Sequence, residues 1–200
     1  MAAPRRRRRI LWSAAALVAA AVVATGLAWF QPWKLVVDHR VDEKLPAVAE
    51  TSPTQAPPTV PPATAPSLDA ARPTPTRPSP SQAVLLSRGR LISHEHSTSG
   101  TVSVVRQPDG SRVLAVADLD TSDGPDVHVW LTDAPVLRGE KGWHVFDDGT
   151  HVNLGTLKGN LGNQVYRIPK DADLRTLTSV TIWCKRFSVS FGAAELAPVG

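Results

Sequence analysis

Hydrophobic and polar residues fall into three regimes along this chain. The first is continuous: Ile10 to Phe30, ILWSAAALVAAAVVATGLAWF, runs 21 residues without a charge. A helix of that length, at about 1.5 Å per residue, spans about 30 Å, the hydrocarbon thickness of a bilayer. The second regime, Leu45 to Ser81, has no helix or strand period and carries prolines at 46, 53, 57, 58, 61, 62, 66, 73, 75, 78 and 80. Proline lacks an N–H and fixes φ, so no helix or sheet ladder runs through such a stretch. The third begins at Gln82, where short alternating runs are separated by turn signals. It predicts strands over Ser87–Ile92, Gly100–Val105, Val113–Leu119, Val127–Leu131, Val152–Leu154, Gln164–Ile168, Val180–Cys184 and Phe187–Phe191. Pro108-Asp109-Gly110 and Asp147-Asp148-Gly149 read as turns, and Ala172–Leu177 as a short helical turn. Strands so spaced, rich in β-branched and aromatic residues, predict an all-β fold, an antiparallel sandwich or barrel.

The chain therefore divides into a basic tip (1–9), a transmembrane helix (10–30), a juxtamembrane segment (31–44), a proline-rich disordered linker (45–81) and a β domain (82–197). Charge sharpens this division. Arg5 to Arg9 place five cations directly before the apolar run, which predicts a single-pass plasma-membrane signal anchor with a cytoplasmic N-terminus and an extracytoplasmic C-terminal domain. Trp12 at one end, and Trp29 and Trp33 at the other, suit interfacial anchors. The rival, a cleaved signal peptide, calls for an apolar region of about 7–15 residues and a small-x-small site, whereas this run ends in Leu27-Ala28-Trp29-Phe30. The linker reads as a polyproline II stalk, either a plain spacer or an O-glycosylated one. The net charge of +4 comes from the arginine run: from Gln82 onward there are 12 Lys+Arg against 13 Asp+Glu. That balance excludes the electrostatic footprint of a nucleic-acid binder.

Candidate chemistry centres on Cys184, the only cysteine. An intramolecular disulfide is therefore excluded, leaving a redox thiol, a ligand, an intermolecular bridge or a packed core residue. Strand alternation sends Cys184 the same way as Val180 and Ile182, with Thr181 and Trp183 on the opposite face. Adjacent Lys185 and Arg186 offer a positive field that would favour the thiolate. His94, His96 and His128 are the candidate cofactor partners for a copper or haem site with Cys184; the bland reading of His94 and His96 is a solvated turn. The blue-copper pattern is absent, because no histidine follows Cys184 and the only methionine is Met1. Asp118, Asp120, Asp123 and Asp126 sit in one stretch, but without EF-hand spacing they read as a turn rather than a Ca²⁺ site. Lys158 reads as an anion contact or a loop cation. No G-x-S-x-G, H-E-x-x-H, CxxC or phosphate loop occurs, so the chain does not read as a stand-alone enzyme.

Several motifs recur together in order: His94-x-x-x-x-Ser99-Gly100-Thr101, Gly124-Pro125-Asp126-Val127-His128-Val129-Trp130-Leu131, and Leu154-Gly155-Thr156-Leu157-Lys158-Gly159. They continue in Gly162-x-Gln164-x-Tyr166-x-Ile168-Pro169 and Ser179-Val180-x-Ile182-Trp183-Cys184-x-x-Phe187. With these, the stretch from about Ser87 to Leu196 resembles the DM-thirteen family, a β-sandwich domain found beside DOMON domains and proposed to act in electron transfer. The anchor, Phe30-Gln31-Pro32-Trp33 and the proline-rich stretch are similar to actinobacterial membrane proteins carrying this domain. The resemblance implies a β-sandwich, a redox-linked accessory role with a redox partner protein, and Cys184 as the family's characteristic cysteine, a redox thiol or a ligand to a group such as haem. The alternative is a non-catalytic extracytoplasmic binding or structural module whose cysteine is core.

Overall fold

The computed structural model describes residues 3–35, 37–48 and 82–199, with backbone only at 3–10 and 35. Helix α1 spans Ala3–Phe30. Residues Leu11–Lys34 are long and apolar enough to serve as a membrane anchor or a signal sequence. The helix ends where Gln31 takes a φ of 44° and Pro32 follows, a left-handed cap with a residue that cannot continue the helix. A 3-10 turn covers Pro32–Leu35.

The rest is strands. In chain order they are β1 (Arg40–Asp42), β2 (Val84–Arg90), β3 (Ile92–Ser93), β4 (Ser99–Arg106), β5 (Arg112–Asp120) and β6 (Val127–Thr132). They continue as β7 (His151–Thr156), β8 (Leu161–Ile168), β9 (Ser179–Cys184), β10 (Val189–Glu195) and β11 (Ala197–Pro198). One sheet has the order β1-β8-β5-β4-β2-β11 and the other β3-β10-β9-β6-β7, so the domain is a β-sandwich, as expected. Between the sheets lie Val102, Val104, Leu114, Val116, Tyr166 and Ile168 from one side and Val127, Val129, Leu131, Val180, Ile182, Cys184 and Phe191 from the other. Each aliphatic or Phe side chain fully buried there contributes about 1.5–3 kcal/mol relative to exposure.

Strand β9 is central in its sheet and all six of its residues are buried. Its inward face joins the main core. Its outward face is covered by the loop after β6: Trp183 packs with Trp130, Ala134, Phe146 and Ala193 in a second, smaller cluster. The Ser179 hydroxyl donates to the carbonyls of Ala134 and Thr132, and Thr181 donates to Ser190, while among the described residues the indole N–H groups of Trp130 and Trp143 are buried without a hydrogen-bond partner.

The antiparallel expectation has two exceptions, and together they relocate a segment. Within 31–44, read as juxtamembrane, Arg40–Asp42 forms β1 and pairs in parallel with Leu161–Asn163 at the edge of β8. Val48 then bridges Ala83, again in parallel. Both ends of the proline-rich stretch are therefore held on the sandwich, side by side. A stalk would have put that stretch in line between helix and domain. Here residues 31–39 make that connection, because β1 is already paired before the prolines begin. The disorder, polyproline and glycosylation expectations fall on 49–81, outside the described residues.

Candidate functional site

Cys184 closes β9, opposite Val127 of β6 and Val189 of β10. The alternation read from sequence holds: Cys184 joins Val180 and Ile182 in the main core and is 0% exposed. Burial pushes its thiol up, against backbone N–H groups of Phe187, Arg186 and Asp126 that favour the thiolate, while the Asp126 charge adds to the rise. These three amides belong to the Lys185–Ser188 turn and to the loop before β6. The Arg186 guanidinium does not serve the sulfur. It donates to the Trp29 carbonyl and lies 5.0 Å from the Trp29 ring centre.

The histidines go elsewhere. His94 is buried, 7% exposed, with Nε2 at 3.0 Å from the Leu137 carbonyl and Nδ1 at 2.8 Å from the Ser190 hydroxyl, and its ring stacks on Phe146. Read chemically, Nε2–H donates to the carbonyl and Nδ1 accepts from the hydroxyl, which is a neutral imidazole. Burial lowers its pKa accordingly. The solvated-turn reading of His94 is thus corrected: the loop after β6 packs over it. His96 lies against Phe191, 3.9 Å between ring centres, and 3.0 Å from a Glu95 carboxylate oxygen. His128 is on the face of β6 opposite Val127, with Nε2 2.8 Å from Asp126 and Nδ1 near Asn153. As arranged, Cys184 and the three histidines do not form one donor set. Among the described residues no group of three His, Cys, Asp or Glu side chains converges. A haem or copper held by Cys184 together with these histidines does not fit this arrangement.

The aspartates also disperse. Asp118 and Asp120 are exposed on β5. Asp123 accepts from the Gly124 N–H and faces Lys34 and His39, and Asp126 faces His128. His144 and His151 are exposed, the first directed at the Ser188 carbonyl, the second stacked on Trp130.

Lys158 has a more definite place than either sequence reading gave it. Its Nζ donates to both Glu43 oxygens at 2.7 and 2.8 Å and to the Val165 carbonyl at 2.7 Å, and lies 5.0 Å from the Tyr166 ring centre. The Val165 N–H donates to the same carboxylate, and the Lys158 hydrogen bond is the main reason Glu43 titrates below its ordinary range. Gln164 accepts from the Lys158 N–H and the Tyr166 hydroxyl and donates to the Gly159 carbonyl. Burial pushes the Tyr166 hydroxyl up to about 12. Asn160 accepts the His39 N–H and donates to Asp38 and the Thr121 carbonyl. A side chain at Gly159 or Gly162 would collide with the backbone of His39 or Val41. The motif residues from Lys158 to Tyr166 thus form the seat of β1. Sequence reasoning missed this because the strand that fills the seat lies before the prolines.

Two cavities border these elements, and Cys184 lines neither. One, open and about 510 Å³, lies beside Glu43, Lys158 and Gln107. The other, about 260 Å³, lies where α1 meets the sandwich, lined by Phe30, Lys34, His96, Asp123, Phe187 and Phe191 among others. The family model described as Electron transfer DM13 matches residues 90–196. No curated protein and no solved structure matches the chain.

Proposed function

The chain belongs to the electron-transfer DM13 family, and from that membership we propose that it is an accessory domain of an electron-transfer chain at a membrane, with Cys184 as its redox-linked group. In this reading α1 is an uncleaved anchor and the sandwich lies outside the cytoplasm, as the Arg5–Arg9 run before the apolar helix supports. What supports a role for Cys184 is its place at the end of β9 against the Lys185–Ser188 turn, where the backbone N–H groups of Phe187, Arg186 and Asp126 partly offset the rise in its pKa that burial causes. Such donors stabilise a thiolate, the reactive form. A second reading is favoured by the absence of exposure at that same sulfur: a non-catalytic binding or structural module whose thiol is packing.

The test uses full-length protein isolated from its own membrane. A visible absorbance, or a thiol that reacts without denaturant, and that is lost in Cys184→Ser, supports the redox reading. A colourless protein whose thiol reacts only after denaturation overturns it in favour of the second. A reporter fused after Gly200 checks orientation, with activity outside the cytoplasm expected and activity inside refuting it.

A further inference from the structure

We infer that the sandwich rests on the bilayer surface at the carboxyl end of α1, with the Lys185–Ser188 turn as its lipid-contacting tip. The inference rests on the reading of α1 as a membrane anchor. Its partner is a phospholipid surface with anionic headgroups.

The chain between helix and sandwich has a short reach. Phe30 ends α1 and Arg40 begins β1, so the connection is residues 31–39. Even fully extended, at about 3.3–3.6 Å per residue, it would span only about 30 Å. It is in fact folded: Pro32–Leu35 is a 3-10 turn, the Lys34 Nζ donates to the Gly124 carbonyl at 3.1 Å, and the His39 N–H donates to Asn160 at 2.7 Å. One end of the sandwich, carrying loops 121–126, 157–160 and 185–188, is drawn up to the end of the helix.

The surface found there is aromatic and exposed. Phe187 stacks on Phe30, 6.1 Å between centres and 15° between planes, and Arg186 reaches Trp29. Trp29, Phe30, Trp33 and Phe187 are 59, 58, 49 and 45% exposed, four aromatic side chains around one junction. In water such a patch is unfavourable, whereas aromatic residues at the end of a spanning helix sit well at headgroup depth. Charge agrees. Asp123 is already opposite Lys34 and His39, and Glu95 opposite His96. Lys185, exposed, therefore remains as the cation of the turn without an acidic partner among the described residues, beside half-buried Arg186, whose guanidinium is already held by Trp29 and also has no carboxylate opposite it. Cations beside an apolar tip extend toward phosphate while their stems lie on the apolar layer.

The full chain, with its four phenylalanines replaced by fluorophenylalanine, is placed in nanodiscs containing phosphatidylglycerol, and the Phe187 resonance is assigned from Phe187→Leu. A headgroup-depth nitroxide lipid is expected to abolish the Phe187 signal, an aqueous gadolinium chelate to spare it, and buried Phe146 to respond to neither. Lys185→Glu with Arg186→Glu should restore the signal in nitroxide lipid. If the Phe30 signal is lost to nitroxide lipid while Phe187 responds only to the chelate, the anchor stands and this inference is overturned. If Phe187 is shielded from both, a protein surface or a second copy covers it, which also overturns the inference. If Phe30 too ignores the lipid probe, the anchor reading fails and the inference falls with it.

Discussion

Cys184 lies between the two sheets and His94 under the loop after β6, and burial tunes both. For Cys184, truncation to Ala removes one buried heavy atom and is expected to cost about 1 kcal/mol, read as a lower denaturant midpoint with an unchanged slope. For His94 the sign follows from a folded-state pKa lowered by burial. The unfolded chain takes up the proton first as pH falls. The contribution of His94 is therefore complete above about pH 6.5, the unfolded value, and is lost as pH falls through the lowered folded one. Unfolding measured across that range should show stability falling toward acid, with a smaller slope in His94→Gln. The Cys184 side was legible in the sequence because period-two alternation fixes which neighbours share a face. His94 was not. Its burial depends on Phe146 and Leu137, which lie in a loop without a period, and only the apolar Trp143, Val145 and Phe146 hinted that the loop would pack rather than float.

At the level of elements, β1 carries the sharpest lesson. Three residues, Arg40-Val41-Asp42, are too few to register as a strand, and their partner lies 121 residues on in the pairing of Arg40 with Leu161. Nothing local in the sequence announces a contact of that separation, whereas hairpins such as β4–β5 and β9–β10 announce themselves through their turns. The pattern Lys158-Gly159-Asn160, Gly162, Gln164 and Tyr166 was visible, but its purpose appears only with β1 in place. Glu43 and Lys158 are each more than a third exposed, so solvent screening limits the pair. Glu43→Gln should weaken β1 by about 0.5–1 kcal/mol, read as faster amide exchange at Asn163 and Val165 with the other strands of the sheet protected as before. Because the Glu43 carboxylate is held below its ordinary range, its contribution is present above about pH 4.5 and is lost as pH falls through the lowered value. Acid should therefore free β1 in the wild-type chain and add less to exchange in Glu43→Gln.

For the whole molecule, the order of attachment matters more than its length. The sequence displays an apolar run, a proline-rich run and a β domain in succession, and succession suggests a line. The Val48–Ala83 bridge turns that line into a branch, since the residues flanking 49–81, 33 residues, both sit on the sandwich. Halving the number of residues between two fixed ends changes the closure free energy by only about 0.6 kcal/mol. Replacing 49–81 with a segment half as long should leave the melting midpoint of the full chain nearly unchanged and the Phe187 response to lipid probes identical. A spacer in line between helix and sandwich would instead change both reach and response.

The same bridge decides how a mechanical load would travel. A force drawing the sandwich away from α1 enters through residues 31–39 and arrives at β1, whose hold on β8 resides in the three-residue ladder, the Glu43–Lys158 clamp and Asn160. With the ladder intact, the load does not pass through 49–81, since Val48 and Ala83 at its two ends both ride on the body being pulled. Only after β1 peels from β8 and Val48 parts from Ala83 would tension reach those 33 residues and let them pay out. In that event the seat of β1 acts as a latch, opening before any load passes beyond Val48.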